Sequence, residues 1–251
     1  MHPSQIALQL YTVRSLTAAD MAGALEQVAD AGYIAVEFAG YGSLTAPAVA
    51  AKLDELGMRA IGAHVAATRL DAEFDAVVAE MQVLGCPAIT MPWLPPELRV
   101  TTLEGARAFA ARLTRWAAQA HAAGLRFGYH NHDFEFVAVD GKRTVFDVLL
   151  DETQGVDFQL DASWALVANI DPVGLLGRMH GRAHSLHVKD MSVIATATDT
   201  PVGLGVVDWP PILAAADAAG VEWYIAEQDY PQNPAADIVT SWDNLTRMLR
   251  G

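Results

Sequence analysis

Ala123-Gly124-Leu125-Arg126-Phe127-Gly128-Tyr129-His130-Asn131-His132 decides the fold. Upstream of it, Phe109, Leu113, Trp116 and Ala120 recur at helical spacing and lay one apolar face on a core. Gly124 then ends the helix, because glycine takes the left-handed conformation past a helix end at little steric cost. Arg126–His132 follows as a run of strand length that finishes in imidazoles. The unit reads helix, glycine, strand, polar tail.

The same unit recurs along the chain. Ala31-Gly32-Tyr33, Leu56-Gly57-Met58, Leu84-Gly85-Cys86 and Ala219-Gly220-Val221 carry the same punctuation. Strands are expected at Ile6–Val13, Ile34–Phe38, Arg59–Val65, Ala88–Trp93, Arg126–His132, Asp157–Ala162, Ala183–Val188 and Trp223–Glu227, which makes eight. Helical stripes lie between them, as in Met21, Leu25 and Val28, in Phe74, Val77, Met81 and Leu84, and in Trp242, Leu245 and Leu249. Eight βα units in 251 residues match an α/β fold of the (β/α)8 TIM barrel type. A doubly wound sheet is disfavoured, because Tyr11-Thr12-Val13-Arg14-Ser15 after the first strand holds no glycine-rich fingerprint. No linker divides the chain, so residues 1–251 are expected to form a single barrel domain.

Composition narrows the function. The net charge of -14 repels phosphate backbones, so neither nucleic acid nor an anionic membrane is an expected partner. Only Lys52, Lys142 and Lys189 are lysines, which favours an uncharged sugar or polyol over a highly phosphorylated ligand. Cys86 is the one cysteine and reads as an inert residue in or near the core. With no signal-like start and no run approaching the roughly 20 apolar residues of a membrane span, a cytoplasmic protein is expected. Self-association into a homo-oligomer is left open.

Barrel enzymes place their chemistry at the C-terminal ends of the strands. Here those ends read Glu37, His64, Tyr129-His130-Asn131-His132 with Glu135 beyond, Asp161, His187-Val188-Lys189-Asp190 and Glu227-Gln228-Asp229. Ionisable groups packed together at a half-buried mouth repel or lose their charge unless a cation joins them. Asp161, Glu227, Glu135 and His187 would make a mainly oxygen site that suits Mn2+, with Mg2+, Co2+ and Zn2+ compatible. Read singly, Asp161 is as readily a helix cap and His187 a hydrogen-bonded core residue. Glu37 and His64 read equally as substrate contacts or structural pairs, and Trp164 as a sugar-stacking surface or plain packing. Lys189 is either a substrate contact or half of a surface ion pair. Trp93 is a candidate for the pocket wall, and Asp190 and Asp229 for capping the loops that follow them or orienting a neighbour.

These residues resemble the xylose isomerase-like TIM barrels, which group sugar phosphate isomerases and epimerases, inosose dehydratases and endonuclease IV. The likeness runs through Leu8-Gln9-Leu10-Tyr11-Thr12-Val13-Arg14, Tyr129 to Phe136 and Leu186 to Asp190. It continues through Gly203-Leu204-Gly205-Val206-Val207-Asp208-Trp209 and Ala226-Glu227-Gln228-Asp229. It implies a metal held by Asp161, His187 and Glu227 from strands six, seven and eight. Strand five departs from the commoner glutamate, which His130 replaces. The fourth ligand is assigned to Glu135, with His130 as the alternative. The Tyr-His-Asn-His-x-x-Glu-Phe variant is similar to that of an inosose dehydratase-like subgroup acting on keto-sugars and inositol-like substrates.

The expected chemistry is proton removal beside a metal-polarised carbonyl to give an enediolate, which sugar isomerases and epimerases share with dehydratases (lyases) of inososes and 3-keto-sugars. His132 is the candidate base, His130 the second; Glu135 or Glu227 is the alternative while coordinating. Two other classes stand against this reading. An endonuclease IV-like hydrolase needs further histidines and a basic DNA-facing surface, and a sugar-binding barrel would lack turnover. Met191 to Leu204 is expected to form a flexible loop over the mouth.

Overall fold

The apolar runs become strands, most of them shorter than their pattern suggested. The computed structural model describes residues 2–248, so Leu249 lies outside the described residues. The strands are β1 (Ile6–Gln9), β2 (Ala35–Phe38), β3 (Arg59–His64), β4 (Ala88–Met91), β5 (Arg126–His130), β6 (Asp157–Asp161), β7 (Ala183–Val188), β8 (Asp190–Val193), β9 (Thr198–Thr200) and β10 (Trp223–Ala226). β1 to β7 and β10 form a closed barrel in which neighbours in the chain are neighbours in the sheet, and β10 closes on β1. All eight of its pairings are parallel. The fold is a TIM barrel.

Two expectations are corrected. The first strand stops at Gln9 rather than Val13, because the Gln9 side chain accepts the Tyr11 N–H and starts a 3-10 turn over Leu10–Val13. Met191 to Leu204 is not a structureless loop: β8 and β9 pair as an antiparallel hairpin. The Asp190 carboxylate ties its base down, accepting the N–H groups of Met191 at 2.8 Å, Gly203 at 2.9 Å, Gly205 at 3.2 Å and Val207 at 3.3 Å. A Cβ on Gly205 would collide with that carboxylate.

Helices cover the barrel as the spacing requires. Leu103–Ala122 buries Phe109, Leu113, Trp116 and Ala120, and Phe74–Leu84 buries Val77, Met81 and Leu84. Each such large apolar side chain contributes about 1.5–3 kcal/mol by leaving water. Gly57, Gly85 and Gly220 end their helices in the left-handed conformation. Cys86 is buried, and burial pushes its thiol up to about 12, as suits an inert residue. Among the described residues, no helix is long and apolar enough to cross a membrane.

Candidate functional site

Successive strand residues point to opposite faces of the sheet. On β6 this puts Gln159 and Asp161 on one face, and on β7 Ser185 and His187. In register, Asp161 pairs with His187, which pairs with Ile225 on β10. The result is a buried polar layer across the mouth.

Glu37 is the hub of this layer. Its Oε2 accepts from Gln9 Nε2 at 2.7 Å and from His187 Nε2 at 2.8 Å, and its Oε1 from Gln159 Nε2 at 2.7 Å. His64 Nε2 stands 3.2 Å from Oε2. Burial penalises the Glu37 charge, yet His64 and His187 hold the carboxyl well below the usual range. Gly62 leaves the room it needs, since a Cβ there would lie 3.1 Å from Oε1. Glu37 is thus structurally paired, one of its two expected readings, and is not among the residues that line the cavity.

Gln159 sets the histidine tautomers. A carboxylate only accepts, so the Gln159 amide nitrogen must face Glu37, and it also donates to Ser185 Oγ at 2.9 Å. Its oxygen therefore accepts from His64 Nε2 at 2.7 Å and His130 Nδ1 at 3.0 Å. That leaves the other nitrogen of His130, Nε2, with its lone pair. Burial first, then the neighbouring histidines, push His130 well below its ordinary value, so the ring is neutral.

His130, Asp161, His187 and Glu227 each offer a ligand atom, and these atoms all lie within 4.8 Å of one another. His187 lies between two carboxylates, with Nδ1 2.8 Å from Glu227 Oε2 and Nε2 2.8 Å from Glu37 Oε2. Burial works against its charge, but Glu227 and Glu37 raise it to about 10. Asp161 caps a helix, one of the two roles foreseen for it. Its Oδ1 caps the following helix through the Trp164 N–H at 2.9 Å, while its buried Oδ2 accepts no hydrogen bond. Two imidazoles and two carboxylates, one oxygen of which accepts no hydrogen bond, fit a divalent cation.

Lys189 supplies the balancing charge. It is 1% exposed, with Nζ 3.2 Å from Asp161 Oδ2, 3.0 Å from Glu227 Oε2 and 2.8 Å from Asp229 Oδ2. It is therefore a buried ion partner rather than half of a surface salt bridge. Because it is shared among three carboxylates, burial still wins at Asp161, whose carboxyl is raised. At Glu227, Lys189 and His187 overcome burial and hold the carboxyl well below its usual value.

Glu135 does not join this cluster. Tyr129 points to the opposite face of β5 from His130 and packs edge-on against Phe109, with ring centroids 5.6 Å apart. Glu135 follows it there, accepting from the Tyr129 hydroxyl and from the His132 N–H at 2.7 Å. The group of side chains able to hold a metal thus includes His130, the alternative, and not Glu135, to which the fourth ligand was assigned. Buried there, the Glu135 carboxyl is pushed up to about 7.

The cluster opens on a cavity of about 630 Å3 whose lining includes His64, His130, His132, Trp164, Lys189 and Glu227. The His132 ring lies 5.4 Å from both Phe134 and Trp164, with Lys189 Nζ 5.4 Å above the Trp164 ring. His132 Nδ1 has no partner among the described residues. Burial and then Lys189 push His132 down to about 3, so the near-neutral value expected of a free imidazole does not hold here. Trp93 and Tyr11 line the cavity, as does Arg99, which sequence reasoning missed along with Gln9 and Gln159. The signal for the two glutamines was a polar residue on the inward face of an apolar strand.

A model of the family described as xylose isomerase-like TIM barrel matches residues 25–248. No curated protein matches the chain. Among solved structures, a sugar phosphate isomerase/epimerase from Parabacteroides distasonis is 24% identical, with a TM-score of 0.80 over 96% of each chain. The IolI protein with a bound zinc atom is 14% identical, with a TM-score of 0.78 over 98% of each chain. An L-ribulose 3-epimerase is 14% identical, with a TM-score of 0.74 over 100% of this chain and 95% of that one.

Proposed function

Because the chain belongs to the xylose isomerase-like TIM barrel family, we propose that it is a metal-dependent isomerase or epimerase of a keto-sugar or related polyol. The observation that carries this is the meeting of His130, Asp161, His187 and Glu227 in one buried group, of which His130 and Glu227 line the cavity. Two imidazoles and two carboxylates suit Zn2+ and Co2+ as well as Mn2+. An ion held there supplies a Lewis acid for the carbonyl and an adjacent hydroxyl.

The chain's own residues do the rest. Glu37 holds the His187 ring by its Nε2–H, so Nδ1, which faces Glu227, is the nitrogen that would exchange its proton for an ion in the cluster. Gln159 fixes His130 with Nε2 free in the same way. Trp164 and Phe134 flank the sugar and exclude water. His132 takes the proton beside the carbonyl, its ring on the cavity wall and its Nδ1 without a partner among the described residues. Glu227, kept ionised by Lys189 and His187, is the second acceptor on the wall. Return of the proton to the neighbouring carbon gives isomerisation, and return to the opposite face gives epimerisation.

Deuterium incorporation from heavy water into ketoses tests this. Metal-loaded protein exchanges the proton beside the carbonyl, and His132→Ala abolishes exchange while retaining its metal. Equal exchange by fully chelated protein would overturn the reading.

A further inference from the structure

Two permanently basic side chains line the cavity, Lys189 and Arg99. Lys189 already faces three carboxylates. Arg99 has no carboxylate within ion-pair distance among the described residues. Its stem is nevertheless held in place. Nε donates to the Leu94 carbonyl at 3.3 Å, and the guanidinium carbon lies 3.9 Å over the Phe134 ring and 5.8 Å from that of Trp93. The two terminal amino groups are left without an acceptor among the described residues, on a plane already fixed by its contacts.

From this geometry we infer that the substrate carries a carboxylate, gripped end-on by the two terminal amino groups of Arg99. The inference rests on the keto-sugar reading of the cavity and names the acid end of that substrate. A planar guanidinium matches the two oxygens of a carboxylate in parallel hydrogen bonds, and holding the plane beforehand lowers the cost of binding. A phosphate dianion fits less well. It would meet one uncompensated cation, with Asp133 and Asp229 on the same wall. The scarcity of lysine is no obstacle, since one arginine balances one carboxylate.

The position suits the far end of the substrate. Phe134, which carries Arg99 on its ring, stacks on His132 at 5.4 Å; His132 lies 5.0 Å from His130, and His130 4.6 Å from His187. A run of rings thus separates the acid-binding group from the metal-ligating cluster. The carboxylate would be anchored away from the carbons that exchange protons.

Calorimetric titration of the full chain with D-fructose, D-fructuronate and D-fructose 6-phosphate tests this, on both Mn2+-loaded and EDTA-treated protein. Fructuronate is expected to bind about tenfold or more tightly than either competitor. Arg99→Met, which keeps an apolar stem over Phe134, brings that ratio to about one. Arg99→Lys, which keeps the charge without the fork, restores only part of it. A ratio near one in the wild type, a preference for the phosphate ester, a preference that survives in Arg99→Met, or no measurable binding of fructuronate would overturn the inference. The ratio needs no turnover. An acid preference without deuterium exchange would therefore sink the proposed reaction and leave this inference standing.

Discussion

His187 Nε2 donates to Glu37 Oε2 across 2.8 Å in the fully buried interior of the barrel. A carboxylate behind a ligating histidine fixes the ring and raises its basicity, and loss of such a partner commonly lowers metal affinity 10- to 100-fold. Glu37→Gln is expected to weaken Mn2+ or Zn2+ binding by about that factor, measured by competition with a fluorescent chelator. Unchanged affinity would mean that Glu37 serves the barrel alone.

Lys189 faces the carboxylates of Asp161 and Asp229 and shares that of Glu227 with His187. Removing one partner of a buried ion pair costs about 3–5 kcal/mol. Lys189→Met should lose that much in urea unfolding with EDTA present, and saturating Mn2+ should recover much of it. A variant as stable as the wild type in EDTA would contradict the role given to the ammonium.

Glu135 predicts a pH dependence of defined sign. Its folded carboxyl is raised to about 7 from an ordinary 4.5, so the fold favours the protonated form. Its stabilising contribution is full below pH 4.5, shrinks as the pH rises towards 7 and is gone above that. Glu135→Gln lacks this titration. Relative to the variant, the wild type should lose about 3 kcal/mol between pH 4.5 and about pH 8. Parallel stability curves for the two proteins would refute it.

Asp190 fastens the hairpin by four backbone N–H groups. Asp190→Ala should free the strap, accelerate limited proteolysis between residues 191 and 207, and cost about 1–3 kcal/mol. An unchanged cleavage rate would show that the strap holds without it.

The barrel was legible because glycine punctuation and helical spacing are local signals, and Gly124 and Trp116 report their roles within a few residues. Strand ends were less so. The apolar run continues past Gln9 into Leu10 and Val13, but the Gln9 side chain turns the backbone. Asp161, His187 and Glu227 were legible as strand-end polar residues and do stand together. Glu135 was misplaced because it was treated as reaching back from its loop, whereas the alternation of Tyr129 and His130 puts it behind the strand. Gln159 escaped notice because its importance lies in contacts with β2, β3 and β5, which no local pattern displays. The hairpin was hidden for the same reason, since Asp190 reaches seventeen residues along the chain to the Val207 N–H.

The proposed chemistry needs one divalent ion shared by four particular side chains. Crystals grown with Mn2+ and measured at its absorption edge test it directly. An anomalous peak bonded to His130, Asp161, His187 and Glu227 is the predicted result. A peak ligated through Glu135, a peak elsewhere, or none at saturating Mn2+ would contradict the account.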